Sequence, residues 1–434
     1  MSKYTLFWFR RDLRLHDNAG LYRALRNHSN VLPIFIFDKN ILDKLDDKKD
    51  RRVEFIHQTI TDLDIQLKAL GSGLLVKYGT PETVFPELLS NYDIEAVYTN
   101  HDFESYAIER DNMVHEYLQS EGIDFRTFKD HVIFEKNEVL SGSKTPYTVF
   151  TPYSRKWKET LNDFYVKSYP TEKYFSNFSK INLPNPPSLE SMGFQPVGMN
   201  FPVKEVKDLL VKNYAEKRDF PAILGTSRLS VHLRFGTVSI RELVRKAQNL
   251  SETWLNELIW RDFYFNVVYH FPHICQGHSF RKEYDLIQWR NNQQEFEAWC
   301  KGQTGYPIVD AGMRELNATG FMHNRVRMIV ASFLTKHLLI DWRWGEAYFA
   351  KKLLDFDFAA NNGGWQWASG SGCDAAPYFR VFNPTLQTQK FDKQLEYTKR
   401  WVPELNSLDY PQPIVNHEIA RKRVLEVYKN ALQK

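Results

Sequence analysis

Residues 355–367 carry side chains that together could bind a large, flat molecule. The chemistry-bearing members of this segment are Asp355, Asp357, Asn361, Asn362, Gly363, Gly364, Trp365 and Trp367. Glycine and asparagine lower helix stability, so a solvent-exposed helix is not expected here. A buried aromatic ligand with polar edges would use the amides and carboxylates for hydrogen bonds and the indoles for its faces. The alternative is a tight helix corner whose tryptophans belong to the core.

Two further segments place polar and aromatic side chains on one face of a helix. In 254–264, helical spacing brings together Glu257, Trp260, Arg261 and Tyr264, opposite a stripe of Leu255, Leu258, Ile259 and Phe263. The second face carries Asn324, Arg327, Met328 and Ala331, with Arg325 beside them. A carboxylate, an indole and a guanidinium side by side could bind a heterocyclic base. An exposed ion pair between Glu257 and Arg261, which contributes little stability, is the alternative.

A third segment combines hydroxyl groups with the start of a helix. It consists of Gly225, Thr226, Ser227, Arg228, Leu229 and Ser230, and it precedes a helical pattern at 231–236. Helix N-termini carry unpaired N–H donors and partial positive charge, so this arrangement suits a pyrophosphate. A hydroxyl-capped helix start without a ligand is the alternative.

Metal and disulfide chemistry are not expected. His270, His273, Cys275 and His278 have the residue types of a zinc site, but their spacing fits no recognised ligand pattern. The three cysteines of the chain give no disulfide framework and are too few for a four-cysteine iron–sulfur cluster. Reduced cysteines fit a cytosolic protein.

The elements that must position these residues follow two patterns. The first third has apolar runs that predict buried strands at 5–9, 31–37, 74–78 and 94–99, with helices at 51–70 and 81–89. This alternation predicts a doubly wound parallel sheet of the Rossmann type, although no G-x-G-x-x-G follows the first strand. The arginines that do follow it could bind phosphate, but an ion-pair network is their more common use. From residue 203 the period is helical, with a helix start at Pro307, a helix end at Gly320 and a further helix at 325–339.

These patterns divide the chain into an α/β domain (1–131), a linker rich in Ser, Thr and Pro (132–202) and an all-α domain (203–434). The net charge of +4 permits nucleic-acid binding but does not argue for it. No apolar leader and no run of about 18 apolar residues occurs, so we expect a soluble cytoplasmic protein without membrane contact.

Six motifs, taken together, resemble those of the cryptochrome/photolyase family, and most closely the class I cyclobutane pyrimidine dimer photolyases of bacteria. They are FWFRRDLR at 7–14, GTSRLS at 225–230, ELIWR at 257–261, TGYPIVDAGMR at 304–314, MHNRVRM at 322–328 and NNGGWQW at 361–367. The resemblance covers nearly the whole chain, and the motifs are long and specific.

The resemblance implies that the all-α domain binds a U-shaped FAD. The implied contacts are Tyr214, Thr226, Ser227, Arg228, Leu229, Ser230, Trp254, Glu257, Arg261, Asn324, Arg327, Asp355, Phe356, Asp357 and Asn361. Asn361 would lie at the flavin N5 atom, where asparagine is typical of a repair enzyme. In this family the α/β domain often carries a second, light-harvesting chromophore, a folate or a deazaflavin, and the resemblance leaves its presence in this chain open. Ala107 stands where the folate-binding group has a glutamate, which argues against a folate.

The implied reaction is light-driven DNA repair. Excited, reduced anionic FAD would donate an electron to a cyclobutane pyrimidine dimer in UV-damaged single- or double-stranded DNA, and the electron would return once the ring has split. The dimer would leave the helix at a cost of a few kcal/mol. The implied substrate contacts are Trp260 and Trp367 (stacking walls), Glu257 (edge contact), Met328 (apolar contact) and Arg218, Arg325 and Gln387 (DNA backbone).

Trp289, Trp342 and Trp365 match the family's tryptophan relay, which passes an electron inward to oxidised flavin under light. Nearby, Trp344 departs from some relatives. Two related activities stay open: a cryptochrome photoreceptor, which would usually add a C-terminal extension, and a six-four photolyase. The latter would place a histidine pair where this chain has His323 and Asn324. We expect a monomer.

Overall fold

The computed structural model describes residues 3–432, which form strands and many helices. The strands are β1 (Tyr4–Phe9), β2 (Val31–Asp38), β3 (Leu75–Gly79), β4 (Ile94–Asn100) and β5 (Asp124–Phe128). The α-helices are α1 (Ala19–Asn27), α2 (Lys39–Leu42), α3 (Arg51–Ala69), α4 (Pro81–Asn91), α5 (Ser105–Ser120), α6 (Phe150–Thr160), α7 (Asp163–Val166), α8 (Asp208–Lys212), α9 (Tyr214–Lys217), α10 (Ser230–Phe235), α11 (Ile240–Leu250), α12 (Glu252–His270), α13 (Gln293–Lys301), α14 (Pro307–Thr319), α15 (Asn324–Ser332), α16 (Trp342–Lys352), α17 (Phe358–Ser369), α18 (Pro384–Phe391), α19 (Glu396–Trp401) and α20 (His417–Leu432). Short 3₁₀ helices lie at Thr171–Asn177, Glu190–Met192, Pro272–Gln276 and Lys282–Leu286, and a π-helix spans Phe333–His337.

Contacts between residues divide the chain into two units. The sheet unit consists of the described residues up to Glu135, Thr160–Glu205 and Arg228–Asn249. The helical unit consists of Lys136–Glu159, Val206–Ser227 and the described residues from Leu250 onward. The segment predicted as a linker, 132–202, is therefore shared between the two units rather than standing apart from them.

The sheet unit contains one sheet of five parallel strands in the order β3-β2-β1-β4-β5. This confirms the doubly wound sheet. The central strands β1 and β2 are buried along almost their whole length, which explains their continuous apolar sequence. The edge strand β5 exposes Asp124 and Arg126, so it lacks an apolar run, and the sequence did not predict it.

A buried ion-pair network stabilises the sheet unit. The Asp130 carboxylate accepts hydrogen bonds from Arg14 (2.7 Å), from Arg241 (2.8 Å) and from the Ala19 N–H (2.9 Å). Arg241 also donates to Asp17 Oδ1 at 2.9 Å. Although burial raises the pKa of Asp130, the two arginines lower it to about 2. All four charged side chains are nearly inaccessible to water.

The helical unit is built around a large apolar core to which α14, α15, α16 and α17 contribute. Helix α14 begins with Pro307 and ends before Gly320, which has a positive φ of 71°, so both predicted boundaries are confirmed. The single helix predicted at 325–339 instead consists of α15 followed by the π-helix. Within residues 3–432, no helix is long and apolar enough to cross a membrane.

Candidate functional site

Helix α17 contains the segment with which the sequence analysis began, and it is buried despite its glycines and asparagines. The Asp357 carboxylate caps the helix by accepting a hydrogen bond from the Ala359 N–H at 3.1 Å. A side chain at Gly363 would collide with the ring of Tyr264 on α12, so glycine here lets the two helices approach each other. A Cβ atom at Gly364, in contrast, would meet nothing within 4 Å. The segment is therefore a helix that packs on one side and borders open space on the other.

A cavity of about 350 Å³ lies beside α17, within the range of ~300–1,000 Å³ that is usual for small-molecule sites. Among the described residues it is lined by Arg218, Glu257, Trp260, Tyr264, Asn324, Arg327, Met328, Ala331, Phe349, Leu353, Asp355, Asp357, Ala360, Asn361, Gly364, Trp365 and Trp367. The two helix faces on α12 and α15 and the α17 segment, which were recognised separately in the sequence, thus meet around one space.

Glu257 and Arg218 form an ion pair at this cavity, the Arg218 guanidinium donating to Glu257 Oε1. Burial raises the pKa of the Glu257 carboxyl, and Arg218 opposes that rise. Burial, together with the Glu257 carboxylate, also raises the pKa of Tyr214. Two residues implied in different roles, a lesion contact and a DNA backbone contact, are therefore in direct contact.

A second carboxylate and arginine are fixed on another wall of the cavity. The Nη2 atom of Arg327 lies 3.1 and 2.9 Å from the two carboxylate oxygens of Asp355, and its Nε donates to the Met322 carbonyl at 2.8 Å. These contacts hold the guanidinium in one orientation. The cavity therefore combines a fixed cation–carboxylate pair with the rings of Trp260, Trp365 and Trp367.

Asn361 is buried and its side chain is oriented by α16. Its Nδ2 donates to the Glu346 carbonyl at 3.2 Å, and Asn362 Nδ2 donates to Glu346 Oε1 at 2.9 Å. Gln366 continues the chain by donating to Asn362 Oδ1 at 2.9 Å. Burial raises the pKa of Glu346. Glu346 is thus a supporting residue that the sequence analysis missed, because nothing in its own helical pattern sets it apart.

The implied DNA contacts Arg325 and Gln387 are not among the described residues that line the cavity. Arg325 donates to Asp219 at 2.7 Å, and its guanidinium lies 4.4 Å from the centre of the Phe391 ring. Phe391 is the last residue of α18, the helix that carries Gln387. Asp219 also approaches Arg218 at 4.0 Å, so one carboxylate contacts both implied backbone-binding arginines.

Several implied flavin contacts are not among the described residues that line the cavity. Trp254 is buried in the first turn of α12, Arg261 lies 4.9 Å from the centre of the Phe265 ring, and Phe356 packs against the core. Tyr214 is half-buried beside Arg218, whose guanidinium is 5.7 Å from its ring.

The run from Thr226 to Ser230 crosses the boundary between the two units. Thr226 and Ser227 are half-buried in the helical unit, whereas Arg228, Leu229 and Ser230 belong to the sheet unit. Helix α10 begins at Ser230, one residue before the predicted start at 231, the residue at the cap is Leu229, and no side chain caps the helix. A hydroxyl-capped helix start, the alternative interpretation of this run, is therefore not found.

The three tryptophans of the implied relay share one region of the helical unit. Trp365 and Trp342 belong to the same buried cluster, and the half-buried Trp289 packs against it. Trp289 also makes an edge contact with Tyr428, at 6.1 Å between ring centres.

Trp344 connects to the same region through other rings. The ring of Trp344 contacts that of Phe296, with 5.1 Å between the ring centres. Phe296 in turn stacks on Trp299 at 5.8 Å, and Trp299 contacts Trp365 at 6.1 Å, again between ring centres. A side chain at Gly345 would collide with the Trp365 ring, so this glycine lets α16 approach α17 closely.

The family resemblance assigned no role to six cavity residues: Tyr264, Ala331, Phe349, Leu353, Ala360 and Gly364. The i,i+4 spacing of Ala360 and Gly364 could have indicated their place in the lining, because two small residues at this spacing leave a shallow surface along α17. Phe349 near the end of α16 and Leu353 at its C-cap have the same spacing, but an apolar pair at this spacing more often belongs to a core.

The sheet unit has a smaller crevice where the carboxyl ends of β1 and β4 meet. It measures about 10 Å³ and is lined by Arg10, Arg11, Asp12, Asn100, His101, Asp102, Asp130 and His131. Ligands of open α/β sheets bind at such a switch in strand order. Here Arg11 donates to Asp102 and to Glu104, each at 3.1 Å, and Arg10 pairs with Asp111. Although burial raises the pKa of Asp102, Arg11 and Arg10 hold it well below its usual value.

Family profiles match both parts of the chain. Residues 5–173 match the family described as DNA photolyase, and residues 254–409 match the FAD binding domain of DNA photolyase. The chain is 38% identical to the deoxyribodipyrimidine photo-lyase of Synechococcus, covering 99% of this chain and 97% of that protein. It is also 38% identical to the deoxyribodipyrimidine photo-lyase of Escherichia coli, covering 98% of each. The chain belongs to the cryptochrome/photolyase family.

Solved structures of this family share the fold. A bacterial class III photolyase from Agrobacterium tumefaciens superposes with a TM-score of 0.89 at 32% sequence identity. The superposition covers 100% of this chain and 98% of the Agrobacterium chain. An archaeal photolyase from Sulfolobus tokodaii, solved with two FAD molecules, superposes with a TM-score of 0.81 at 36% sequence identity. That superposition covers 98% of this chain and 100% of the archaeal chain.

The helical unit contains the family's FAD-binding domain, and its cavity suits such a cofactor. A flavin has apolar ring faces and a polar edge of hydrogen-bonding atoms. The cavity offers indole and aliphatic walls together with the converging Asn361 amide, Asp357 carboxylate and Arg327 guanidinium. The open space beside Gly364 leaves room for a flat molecule against α17.

Proposed function

We propose that this member of the photolyase family repairs cyclobutane pyrimidine dimers in UV-damaged DNA, single- or double-stranded, with FAD and blue light. The observation that supports this most is that Glu257, Trp260, Met328 and Trp367 line the same cavity as Asn361, inside the region that matches the FAD-binding domain. Many relatives of similar length are named deoxyribodipyrimidine photo-lyases. We infer further that the protein acts as a monomer in the cytoplasm.

FAD, when bound in its reduced anionic form, supplies the light-excited electron that splits the dimer. The chain itself must hold the dimer beside the cofactor and keep water away. Trp260 and Trp367 stack on the two bases after these have left the DNA helix, and Met328 makes an apolar contact. Arg327, Asp355 and Asn361 orient the cofactor edge.

Glu257 contacts the polar edge of the dimer. Because burial raises its pKa, this carboxyl group is easier to protonate than an exposed one, and a protonated form could donate a hydrogen bond to a base carbonyl. On DNA binding, Arg218 would exchange Glu257 for a DNA phosphate, and Arg325 would exchange Asp219 for another. Gln387 would contact the DNA backbone nearby.

Trp289, Trp342 and Trp365 would carry an electron from the protein surface to the cavity. Trp289 is half-buried, Trp342 and Trp365 are buried, and Trp365 lines the cavity, so the outer member is partly exposed and the inner member borders the cavity, as an inward path requires. A second chromophore, a folate or a deazaflavin, would bind the sheet unit. The archaeal relative was solved with two FAD molecules, so a second flavin is a further candidate for this chromophore.

The experiment that tests this function is a repair assay. The purified, chemically reduced protein is mixed with single-stranded or duplex DNA containing one thymine cyclobutane dimer, under blue light and in darkness. We expect loss of the dimer only in the light. No loss, with reduced flavin verified by absorption, would contradict the proposal and favour a photoreceptor; repair of a six-four photoproduct instead would contradict the substrate assignment.

A further inference from the structure

The ring of Phe150 lies face to face on the indole of Trp260. The ring centres are 3.7 Å apart and the planes differ by 3°. Aromatic pairs usually have centres 4.5–7 Å apart and avoid full face-to-face overlap. The surrounding structure must therefore hold these two rings in place.

Phe150 is fixed by its position at the start of α6. Its N–H donates to Asp374 Oδ2 at 3.1 Å, and its ring makes an edge contact with Phe263 at 6.0 Å. Further along α6, Trp157 is fully buried and its Nε1 donates to Asp262 Oδ2 at 3.0 Å. The helix that carries Phe150 is thus anchored to α12, the helix that carries Trp260.

Trp260 also contacts two aromatic rings of its own helix. It makes an edge contact with Phe263 at 5.6 Å and a tilted contact with Tyr264 at 5.5 Å. Trp260 lines the cavity, whereas Phe150 is not among the described residues that do. Phe150 therefore covers one face of the Trp260 indole without itself lining the cavity.

We propose that Phe150 is a positioning residue for Trp260, setting the plane of the indole on which an extrahelical pyrimidine of the substrate stacks. This inference rests on the proposed function. Stacking requires parallel rings in contact, so an indole that can tilt loses part of the contact with the base. Phe150 then contributes to the preference for dimer-containing DNA without touching the substrate.

The test uses the full-length, FAD-loaded protein and the variants Phe150→Leu and Phe150→Tyr. Affinity is measured in darkness for DNA with one thymine dimer and for undamaged DNA of the same sequence. We expect Phe150→Leu to weaken dimer binding about fivefold to tenfold, to leave undamaged DNA within about twofold, and to raise KM without changing the rate at saturating DNA. Phe150→Tyr, which keeps the ring, should bind like the wild type. Val149→Ala, at the exposed neighbouring position, is the matched control.

A double-mutant cycle separates positioning from general damage. In a Trp260→Ala background, Phe150→Leu should change dimer affinity less than about twofold, because the ring that it positions is gone. An undiminished loss in that background, or an equal loss for undamaged DNA, overturns the proposal.

The stack itself is checked independently of substrate by ¹⁹F NMR of protein labelled with 5-fluorotryptophan. The Trp260 signal, assigned with Trp260→Phe, should shift in Phe150→Leu and much less in Phe150→Tyr; an unmoved signal also overturns the proposal. Equal wild-type affinity for both DNAs, with a shifted signal, would instead contradict the proposed function. If Phe150→Leu does not fold, Phe150→Met, which keeps more of the side-chain volume, replaces it in both measurements.

Discussion

The sheet unit and the helical unit use buried charge in different ways. Around Asp130, two arginines and two carboxylates are almost wholly withdrawn from water and are hydrogen-bonded to one another. At the helical cavity, the ion pair of Arg218 with Glu257 is about one-third exposed and borders a space of about 350 Å³. A closed network has little capacity left for a ligand, whereas a pair at the edge of a cavity can exchange one partner for another. The comparison separates charges that stabilise the fold from charges that remain available for binding.

Removing Asp130 should have the largest effect on stability. Asp130→Ala leaves Arg14 and Arg241 buried with a shared partner missing, so we expect the free energy of unfolding to fall by about 3–5 kcal/mol. Chemical denaturation at neutral pH measures this. A loss below about 1 kcal/mol would show that water enters the network and would remove the contrast with the cavity.

The same network gives a pH dependence with a definite sign. The folded pKa of Asp130, about 2, lies below its ordinary value of 3.8. Its contribution is therefore complete above the ordinary value and is lost as the pH falls through the range from about 4 to about 2. Denaturation curves of the wild type and Asp130→Ala should accordingly approach each other over that range; a constant gap would contradict the assignment.

Removing Glu257 should affect repair rather than stability. In Glu257→Ala we expect the repair rate to fall about tenfold to a hundredfold, equivalent to about 1.4–2.7 kcal/mol, because the polar edge of the dimer loses its partner. FAD content and melting temperature serve as controls and should change little, since the carboxylate is partly exposed. Unchanged repair would remove the proposed role of Glu257.

Replacing Asn361 by aspartate should have a smaller effect of the same kind. Asn361→Asp loses the N–H donor to the Glu346 carbonyl and brings a second carboxyl group near Glu346. We expect FAD to stay bound and repair to fall about tenfold, measured in the light-dependent assay with the flavin absorption as control. Loss of FAD would instead indicate that Asn361 holds the cofactor in place.

The smallest effect is expected at an exposed pair in the sheet unit. Asp124 and Arg126 are each about half exposed on β5, where water screens their attraction. Asp124→Asn should change the free energy of unfolding by less than about 0.5 kcal/mol, and it is the matched control for Asp130→Ala. A loss comparable to that of Asp130→Ala would mean that burial does not distinguish the two sites.

The fold was predictable where burial leaves a continuous pattern. Strands β1 and β2 are buried along almost their whole length, so their sequences are nearly all apolar, and β4 is buried except at Glu95. The edge strand β5 has polar side chains and gave no such signal. The π-helix was also missed, because its sequence has no glycine or proline that would mark a change after α15.

The site was predictable along each helix but not between helices. The helical period of 3.6 residues correctly placed Glu257, Trp260 and Tyr264 on the face of α12 that lines the cavity. The same rule also assigned Arg261 to that face, but its guanidinium lies over the ring of Phe265 and it is not among the described lining residues. Phe150 comes from a distant segment of the chain, so no local spacing connects it with Trp260. Contacts of this kind depend on tertiary packing, which sequence periodicity does not contain.

The π-helix Phe333–His337 places one residue more in its turn than an α-helix would. The wide turn is closed by the Leu338 N–H, which donates to the Phe333 carbonyl five residues earlier, at 3.1 Å. Deleting one residue here would let the turn tighten to an α-helical one, and because the surplus residue is the one removed, the following chain would keep its orientation relative to α15. Deleting one residue inside α15 would instead rotate the following chain by about 100° and would turn Trp342, only 1% exposed, out of its cluster. Single-residue deletions should therefore be better tolerated in the π-helix than within α15.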